Sequence, residues 1–154
     1  MRKGNILDRQ IANNLYQATL SLGDVFLGKF EGIDHEKFFI VAGLSHDKVY
    51  VCSVYINSKI PGFIFKKQEL LNLQVPIKGV KYPYLKHDSF VSCNTQLKLE
   101  FSDIFRWIET DKCRCIGKLD MDDLNNIQTT LINSGLLTSK ELELYFSMTK
   151  HESA

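Results

Sequence analysis

The sequence predicts a β-rich α+β fold in a single domain. Short segments rich in β-branched and aromatic residues recur through the first two thirds of the chain, and amphipathic helical patterns stand at both ends. The 154 residues are enough for one core and too few for two. We therefore expect one domain over 1–154, with an N-terminal helix at 5–22, a central unit at 23–131, and a C-terminal helix and tail at 132–154.

An amphipathic helix is predicted over residues 5–22. Its apolar residues recur every three or four positions, and polar residues occupy the other faces. Gly23 is expected to end the helix, because glycine tolerates a positive φ angle. We expect the apolar stripe to pack against the rest of the domain, with Ile11 and Leu15 buried.

Four strands are predicted in the first 94 residues. They are an alternating segment at 25–30, a continuous apolar run at 38–43, a β-branched and aromatic run at 49–56, and a segment at 89–94. Residues 59–86 hold all three prolines, and proline cannot donate to a β-ladder. This region is therefore expected to contain at most edge strands and a short helix at 68–73.

The pattern at 97–108 fits two structures. A fifth strand could lie at 97–101 or at 104–108, but Ile104, Trp107 and Ile108 also fit one face of a helix. Periodicity alone does not separate these two possibilities.

A strand at 112–116 and two capped helices are predicted in the C-terminal part. The first helix covers 121–133, with Asp120 as its N-cap and further carboxylates in its first turn. Gly135 ends it. Thr138 then has the N-cap position of a second helix, with Glu141 at the capping-box spacing.

Composition limits the possible partners. With 19 basic and 18 acidic side chains, the net charge of +1 gives no strong field, so any nucleic-acid contact is expected to be short and local. The start of the chain shows no secretory leader, which favours reduced thiols at the four cysteines and a cytoplasmic location. Cys113 and Cys115 lack the matching ligand pair of a zinc site, so we expect no metal and no cofactor. No apolar run approaches the ~20 residues that span a bilayer, so no membrane partner is expected.

Residues 87–119 are the most informative stretch of the chain. They suggest a buried strand, a connector, and a second strand that turns at Gly117 into the acidic-capped helix. Together with the first strand, which opens at 23–26, this stretch resembles the PemK/MazF-like toxins over roughly 23–131. The resemblance implies a small SH3-like β-barrel of the PemK/MazF/CcdB type with flanking N- and C-terminal helices. It also implies a toxin of a toxin–antitoxin system that acts as a metal-independent, sequence-selective endoribonuclease.

Cleaving RNA without a metal requires a base for the 2′-hydroxyl, an acid for the leaving oxygen, and donors for the phosphoryl oxygens. The resemblance places His35 and Glu36 at the His-Glu pair of the family, in the loop before the second strand. Lys37 stands where the family carries an arginine, and lysine offers a point charge without the bidentate fork. Outside the resemblance, the same residues would be an ordinary charged loop.

Two further groups of residues correspond to substrate contacts in the family. Asn57 and Ser58 end the third strand, where the family has a Thr or Thr-Ser that touches substrate phosphate, although Asn-Ser is also common turn chemistry. The fourth strand of the family has an arginine and an aspartate that serve in catalysis. Here Ser92 and Asn94 stand in their place, and neither exchanges a proton near pH 7.

That substitution leaves two possibilities. His87 and Asp88, a few residues upstream, could supply the missing acid and base, or they could form a strand-entry turn in a protein that binds without cutting. An active enzyme is expected to be a homodimer, with RNA crossing the dimer groove and an antitoxin segment able to fill that groove.

The alternative is a non-catalytic barrel relative that binds a protein partner or single-stranded nucleic acid. Its surface would use tyrosines and nearby lysines, namely Tyr50, Tyr55, Tyr82, Tyr84, Lys78, Lys81 and Lys86. Tyrosine is also an ordinary strand residue. A structural or accessory protein with no nucleic-acid role is a third class.

Overall fold

The computed structural model describes residues 6–29 and 35–147. Its centre is a six-stranded sheet with the order β4-β5-β3-β2-β1-β6, in which all neighbouring strands are antiparallel. The strands are β1 (Asp24–Gly28), β2 (Lys37–Leu44), β3 (Tyr50–Asn57), β4 (Gln74–Ile77), β5 (Ser89–Glu100) and β6 (Cys113–Lys118). The helices are α1 (Ile6–Thr19), α2 (Gly62–Phe65), α3 (Gln68–Leu71), α4 (Phe101–Glu109), α5 (Met121–Asn133) and α6 (Ser139–Phe146), and a 3-10 turn covers Gly79–Lys81.

The predicted α+β class is confirmed, but the sheet does not close into a barrel. β4 and β6 stand at opposite edges, and each pairs with one neighbour only. β4 is only four residues long and contains Pro76, whose nitrogen cannot donate to a further strand. The predicted boundaries at Asn5, at Phe30 and in the tail beyond residue 147 lie outside the described residues.

Apolar side chains pack on both faces of the sheet. On one face, α5 and α6 cover a cluster that includes Ile40, Val54, Val91, Ile127 and Leu131. On the other face, α4 covers a cluster that includes Phe39, Val41, Val51, Ile104 and Phe105. Burial on both faces explains why β2 is a continuous apolar run instead of an alternating one.

The predicted N-terminal helix forms, but it ends at Thr19 and not at Gly23. Its predicted burial is also wrong. Ile11 and Leu15 are 51% and 62% exposed, and no residue of α1 is buried. The helix is anchored near its C-terminal end, where the Tyr16 ring lies 5.7 Å from the Phe105 ring. Leu20, just after the helix, is 3% exposed. Helical periodicity identifies an apolar stripe, but whether another element covers it depends on long-range packing.

Residues 97–108, for which the sequence allowed a strand or a helix, form both: a strand up to residue 100 and a helix after it. β5 continues as a strand through Glu100, and α4 follows directly. Glu100 caps this helix in a reciprocal capping box with Asp103. Ile104 and Phe105 face the core from the helix, so the helical pattern at 104–108 prevails.

The predicted helix ends in the C-terminal part are confirmed. Asp120 accepts the Asp123 backbone N–H at 2.8 Å and caps α5. Thr138 and Glu141 exchange hydrogen bonds of 3.1 and 2.9 Å at the start of α6. Gly135 has a φ angle of +76°, in the left-handed region that favours glycine. The short helix expected near 68–73 is α3, and Pro76 lies on an edge strand as expected. The further short helix α2 in the same region was not predicted.

Across the described ranges, every helix falls short of the length and apolar character needed to cross a bilayer.

Candidate functional site

A cleft of about 370 Å³ lies at one end of the sheet, where three separate segments meet. Its walls come from the start of β2, from the end of β3 with the residues that follow, and from the last part of the β4–β5 crossover. Most of the residues singled out in the sequence line this one cleft: His35, Glu36, Lys37, Asn57, Ser58 and His87. Lys86, one of the lysines of the binding-module hypothesis, lines it too, as does Lys59, which the sequence did not single out.

Strand pairing brings Lys37 and Asn57 together. β2 starts at Lys37 and β3 ends at Asn57, and the two antiparallel strands are aligned with Phe38 opposite Ile56. The Lys37 ammonium donates a hydrogen bond of 2.7 Å to Asn57 Oδ1 and lies 4.6 Å from the centre of the Tyr55 ring. Partial burial lowers the pKa of Lys37. The cleft therefore holds an oriented and partly desolvated cation, which suits a phosphate group.

The crossover places His87 in the cleft but keeps Asp88 out of its lining. Asp88 Oδ1 accepts the backbone N–H of Gly79 at 2.9 Å, and its other carboxylate oxygen lies 3.9 Å from the Lys78 ammonium. His87 Nδ1 lies 3.2 Å from the backbone oxygen of Asp88, so this contact does not involve the Asp88 carboxylate. The two residues thus have different positions: His87 faces the cleft, and Asp88 holds the turn at the strand entry.

A polar cluster fixes the crossover to the start of α5. The Tyr82 hydroxyl donates to Asp123 Oδ2 at 2.6 Å and accepts the Asp120 backbone N–H at 3.1 Å. The Lys81 ammonium lies 2.5 Å from Asp120 Oδ2 and 3.0 Å from Asp123 Oδ2. Burial, followed by the hydrogen bond to Asp123, raises the pKa of Tyr82 well above its ordinary value. The segment that carries His87 is therefore anchored through a neighbouring helix as well as through the sheet.

Ser92 and Asn94 lie on β5, outside the lining of the cleft. Ser92 Oγ donates to Asn94 Oδ1, and the Gln74 side chain donates to the same oxygen at 2.9 Å. Ser92 is buried, with 7% of its surface exposed. Asn94 thus links β5 to Gln74 on β4, while the Ser92 hydroxyl is bonded within its own strand.

Glu36 makes a loose ion pair with Arg114 on β6, with 3.8 Å between Arg114 Nη1 and Glu36 Oε2. Both side chains are more than half exposed, so this pair contributes little to stability. It nevertheless places the Arg114 guanidinium beside Glu36, which lines the cleft.

The four tyrosines of the binding-module hypothesis do not form one surface. Tyr82 is buried with its hydroxyl bonded to Asp123, and Tyr50 is at the opposite end of β3 from the cleft. Tyr84 lines the cleft, and burial raises its pKa to about 12.

Sequence reasoning also missed a second pocket beside α4, in which Tyr55 lies near Trp107 and several basic residues. The only sequence signal was that Trp107 is the single tryptophan of the chain. Its basic partners are too distant along the chain to form a motif.

Two imidazoles, three lysines and the Asn57 and Ser58 side chains give the cleft candidate acids, bases and anion donors. Within 6–29 and 35–147, no three His, Cys, Asp or Glu residues are grouped so that they could hold a metal ion. The sequence matches no protein-family model and no curated protein.

Proposed function

We propose that the cleft binds RNA and cleaves it by metal-independent transesterification, with His35 and His87 as acid and base. The observation that carries this proposal is that two imidazoles and the partly buried Lys37 ammonium line one cleft, although they come from segments far apart in the sequence. Both elements of the required chemistry, proton transfer and anion binding, are thus within a single recess.

The reaction follows from the properties of these groups. One imidazole takes the proton of the 2′-hydroxyl, whose oxygen attacks the adjacent phosphorus and forms a 2′,3′-cyclic phosphate. The P–O5′ bond breaks, and the other imidazole donates a proton to the leaving oxygen. Imidazole suits both roles because its ordinary pKa of about 6.5 lies close to neutral pH. Lys37, with the Asn57 amide beside it, stabilises the charge on the phosphoryl oxygens.

The proposal extends to the biological class. We propose a PemK/MazF-like toxin built on an opened form of the SH3-like barrel, working as a homodimer whose groove an antitoxin segment can fill. What supports this is the position of the cleft, at the loop before β2 and the end of β3, where the resemblance places the substrate contacts. Sedimentation at ~50 μM tests the dimer, and a monomer at that concentration would contradict it.

The experiment is incubation of the purified protein with mixed RNA in EDTA, followed by analysis of fragment ends. Discrete fragments that end in cyclic phosphate are expected. His35→Ala and His87→Ala should each lower the rate by about 10²–10⁴, the usual contribution of general acid–base catalysis. Lys37→Met should weaken binding and flatten its salt dependence. Lys140→Met, which removes an exposed charge on α6, is the matched control and should behave as wild type.

A second candidate is a binding module that holds RNA or a protein partner without cutting. The neutral, mutually bonded Ser92 and Asn94 favour it, because they take the place of the charged pair of the toxins. Intact RNA after incubation, together with measurable RNA binding by the same preparation, would establish this function instead.

A further inference from the structure

A second pocket, here called the Trp107 pocket, lies between α4 and the sheet and has a volume of about 340 Å³. Its described lining combines apolar and aromatic side chains with three basic ones and includes no acidic residue: Lys29, Phe39, Tyr55, Leu97, Leu99, Arg106, Trp107 and Lys112. This composition suits a ligand that has a planar aromatic ring and a negatively charged group.

The backbone builds the basic side of this pocket. The Lys29 N–H, at the end of β1, donates to the Lys112 carbonyl at 3.0 Å, and the Lys112 N–H donates to the Trp107 carbonyl at 2.7 Å. Asp111 makes the required turn with a left-handed φ of 59°. Two lysines that are distant in the sequence are thereby held next to the single tryptophan.

The aromatic side has a defined orientation. The Trp107 ring meets the Phe39 ring edge-on, with 6.3 Å between centres and 80° between planes. Because Phe39 is fully buried in the core, it gives the indole a rigid support. Trp107 itself is only partly buried and lines the pocket.

The three basic side chains of the Trp107 pocket differ in whether an acidic residue already balances their charge. The Arg106 guanidinium lies 3.3 Å from Asp103, so part of its charge is already balanced. Lys29 and Lys112 make no ion pair with any residue in 6–29 or 35–147. The two lysines are therefore the principal cations for an incoming phosphate.

Tyr55 connects this pocket with the cleft. Its ring lies 4.6 Å from the Lys37 ammonium of the cleft, and the same side chain lines the Trp107 pocket. A strand with one phosphate at Lys37 and a base at Trp107 would pass over Tyr55, which borders both.

We infer that the Trp107 pocket binds one nucleotide unit of single-stranded RNA, with the base against Trp107 and the phosphate at Lys29 and Lys112. The inference rests on the proposed function only in taking the strand to be the one bound in the cleft. Stacking of a base on an aromatic ring contributes about 1–3 kcal/mol and tolerates any base. The pocket therefore adds affinity and sets the path of the strand without reading its sequence.

Trp107 provides the readout, because its fluorescence is the only tryptophan signal of the chain. The probe is a hexauridylate methylated at every 2′-oxygen, which cannot be cleaved, and it is titrated in EDTA. Saturable quenching is expected. Uridine 5′-monophosphate should quench at higher concentration, since it lacks the contacts in the cleft, and uridine without a phosphate should quench least.

Variants separate the stacking contribution from the charge contribution. Lys29→Met and Lys112→Met should each reduce the slope of log affinity against log salt by about 1. Trp107→Leu, followed by anisotropy of a labelled hexauridylate, should weaken binding about 5- to 150-fold, the equivalent of about 1–3 kcal/mol. Lys140→Met should bind as wild type does.

Several outcomes would overturn the inference. One is that hexauridylate binds without changing Trp107 fluorescence, while the Lys29→Met and Lys112→Met variants keep wild-type affinity. Both substitutions replace exposed side chains, so neither is expected to disturb the fold. Equal affinities for the monophosphate and the hexauridylate would overturn the assignment to a strand. A chain that never cleaves RNA but keeps the full fluorescence response would refute the proposed catalysis and support the pocket. The His35→Ala variant should keep the Trp107 fluorescence response to uridine 5′-monophosphate, because His35 does not line the Trp107 pocket.

Discussion

Gly79 packs directly against the backbone of His87. A Cβ atom at position 79 would lie 2.6 Å from the carbonyl carbon of His87 and 2.7 Å from its carbonyl oxygen. Contacts this short between a Cβ and backbone atoms do not occur in folded proteins, so the 3-10 turn and the strand entry approach this closely only with glycine there. The position of a cleft imidazole therefore depends on the absence of a side chain eight residues earlier.

Gly79→Ala should destabilise the protein and displace His87. Neither atom in the clash belongs to a flexible side chain, so one of the two segments must move, at a cost of about 1–3 kcal/mol in the free energy of unfolding. Urea unfolding measures this cost. Gly62→Ala is the control, because a Cβ at that position has no neighbour within 4 Å. Equal stability of the two variants would contradict the described packing.

Tyr82→Phe should loosen the crossover from α5. The substitution removes the donor to the Asp123 carboxylate and leaves this largely buried group, 8% exposed, with one fewer partner. Loss of a hydrogen bond to a charged group costs about 1.5–3 kcal/mol, measured as a shift in the urea midpoint. Tyr50→Phe, at a tyrosine that is 41% exposed, should change stability by less than about 0.5 kcal/mol. A similar small effect at both positions would show that the Tyr82 contact carries no stability.

The ion pair between Lys81 and Asp120 makes the free energy of unfolding depend on pH in the acid range. The hydrogen bond from the Lys81 ammonium, then that from the Asp123 N–H, lowers the pKa of Asp120 below its ordinary 3.8. The folded chain thus binds this proton less readily than the unfolded chain. The resulting stability is fully present above about pH 5 and is lost as the pH falls through the folded pKa. The stability difference between wild type and Lys81→Met, from urea unfolding, should therefore be larger at pH 6 than at pH 3. An unchanged difference would count against the ion pair.

Leucines on either side of the end of α1 should differ sharply in their contributions. Leu20→Ala removes a side chain that is 3% exposed and should cost about 2–5 kcal/mol. Leu15→Ala changes a residue that is 62% exposed and should cost less than about 0.5 kcal/mol. Thermal unfolding of the two variants at equal concentration makes the comparison. Comparable losses would mean that the exposed face of α1 is covered in solution.

The features predicted correctly from the sequence are those determined by neighbouring residues. The caps at Asp120 and Thr138 depend on a hydrogen bond three residues away, and the apolar run of β2 depends on the residues of the strand itself. The exposure of Leu15 and the open sheet depend on packing between distant segments, which periodicity does not report.

The same distinction applies to the candidate site. Lys37 and Asn57 could be nominated because the resemblance places substrate contacts just before the second strand and at the end of the third, although the bond between them joins residues 20 positions apart. Trp107 could not be connected with Lys29, because only the folded sheet brings β1 next to the end of α4. Ser92 was nominated through the resemblance and lies outside the cleft, where its hydroxyl bonds Asn94 on the same strand.

Lys37 and Asn57 stand at the ends of their strands, and neither belongs to the two apolar clusters that hold the sheet between its helices. Replacing them leaves the apolar contacts of both clusters in place, so the hydrophobic contribution to folding does not depend on these two residues. Substitutions at these two positions can therefore change the chemistry of the cleft while the residues of the two cores stay unchanged. A lineage with this architecture can change the polar side chains of the cleft without passing through unfoldable intermediates.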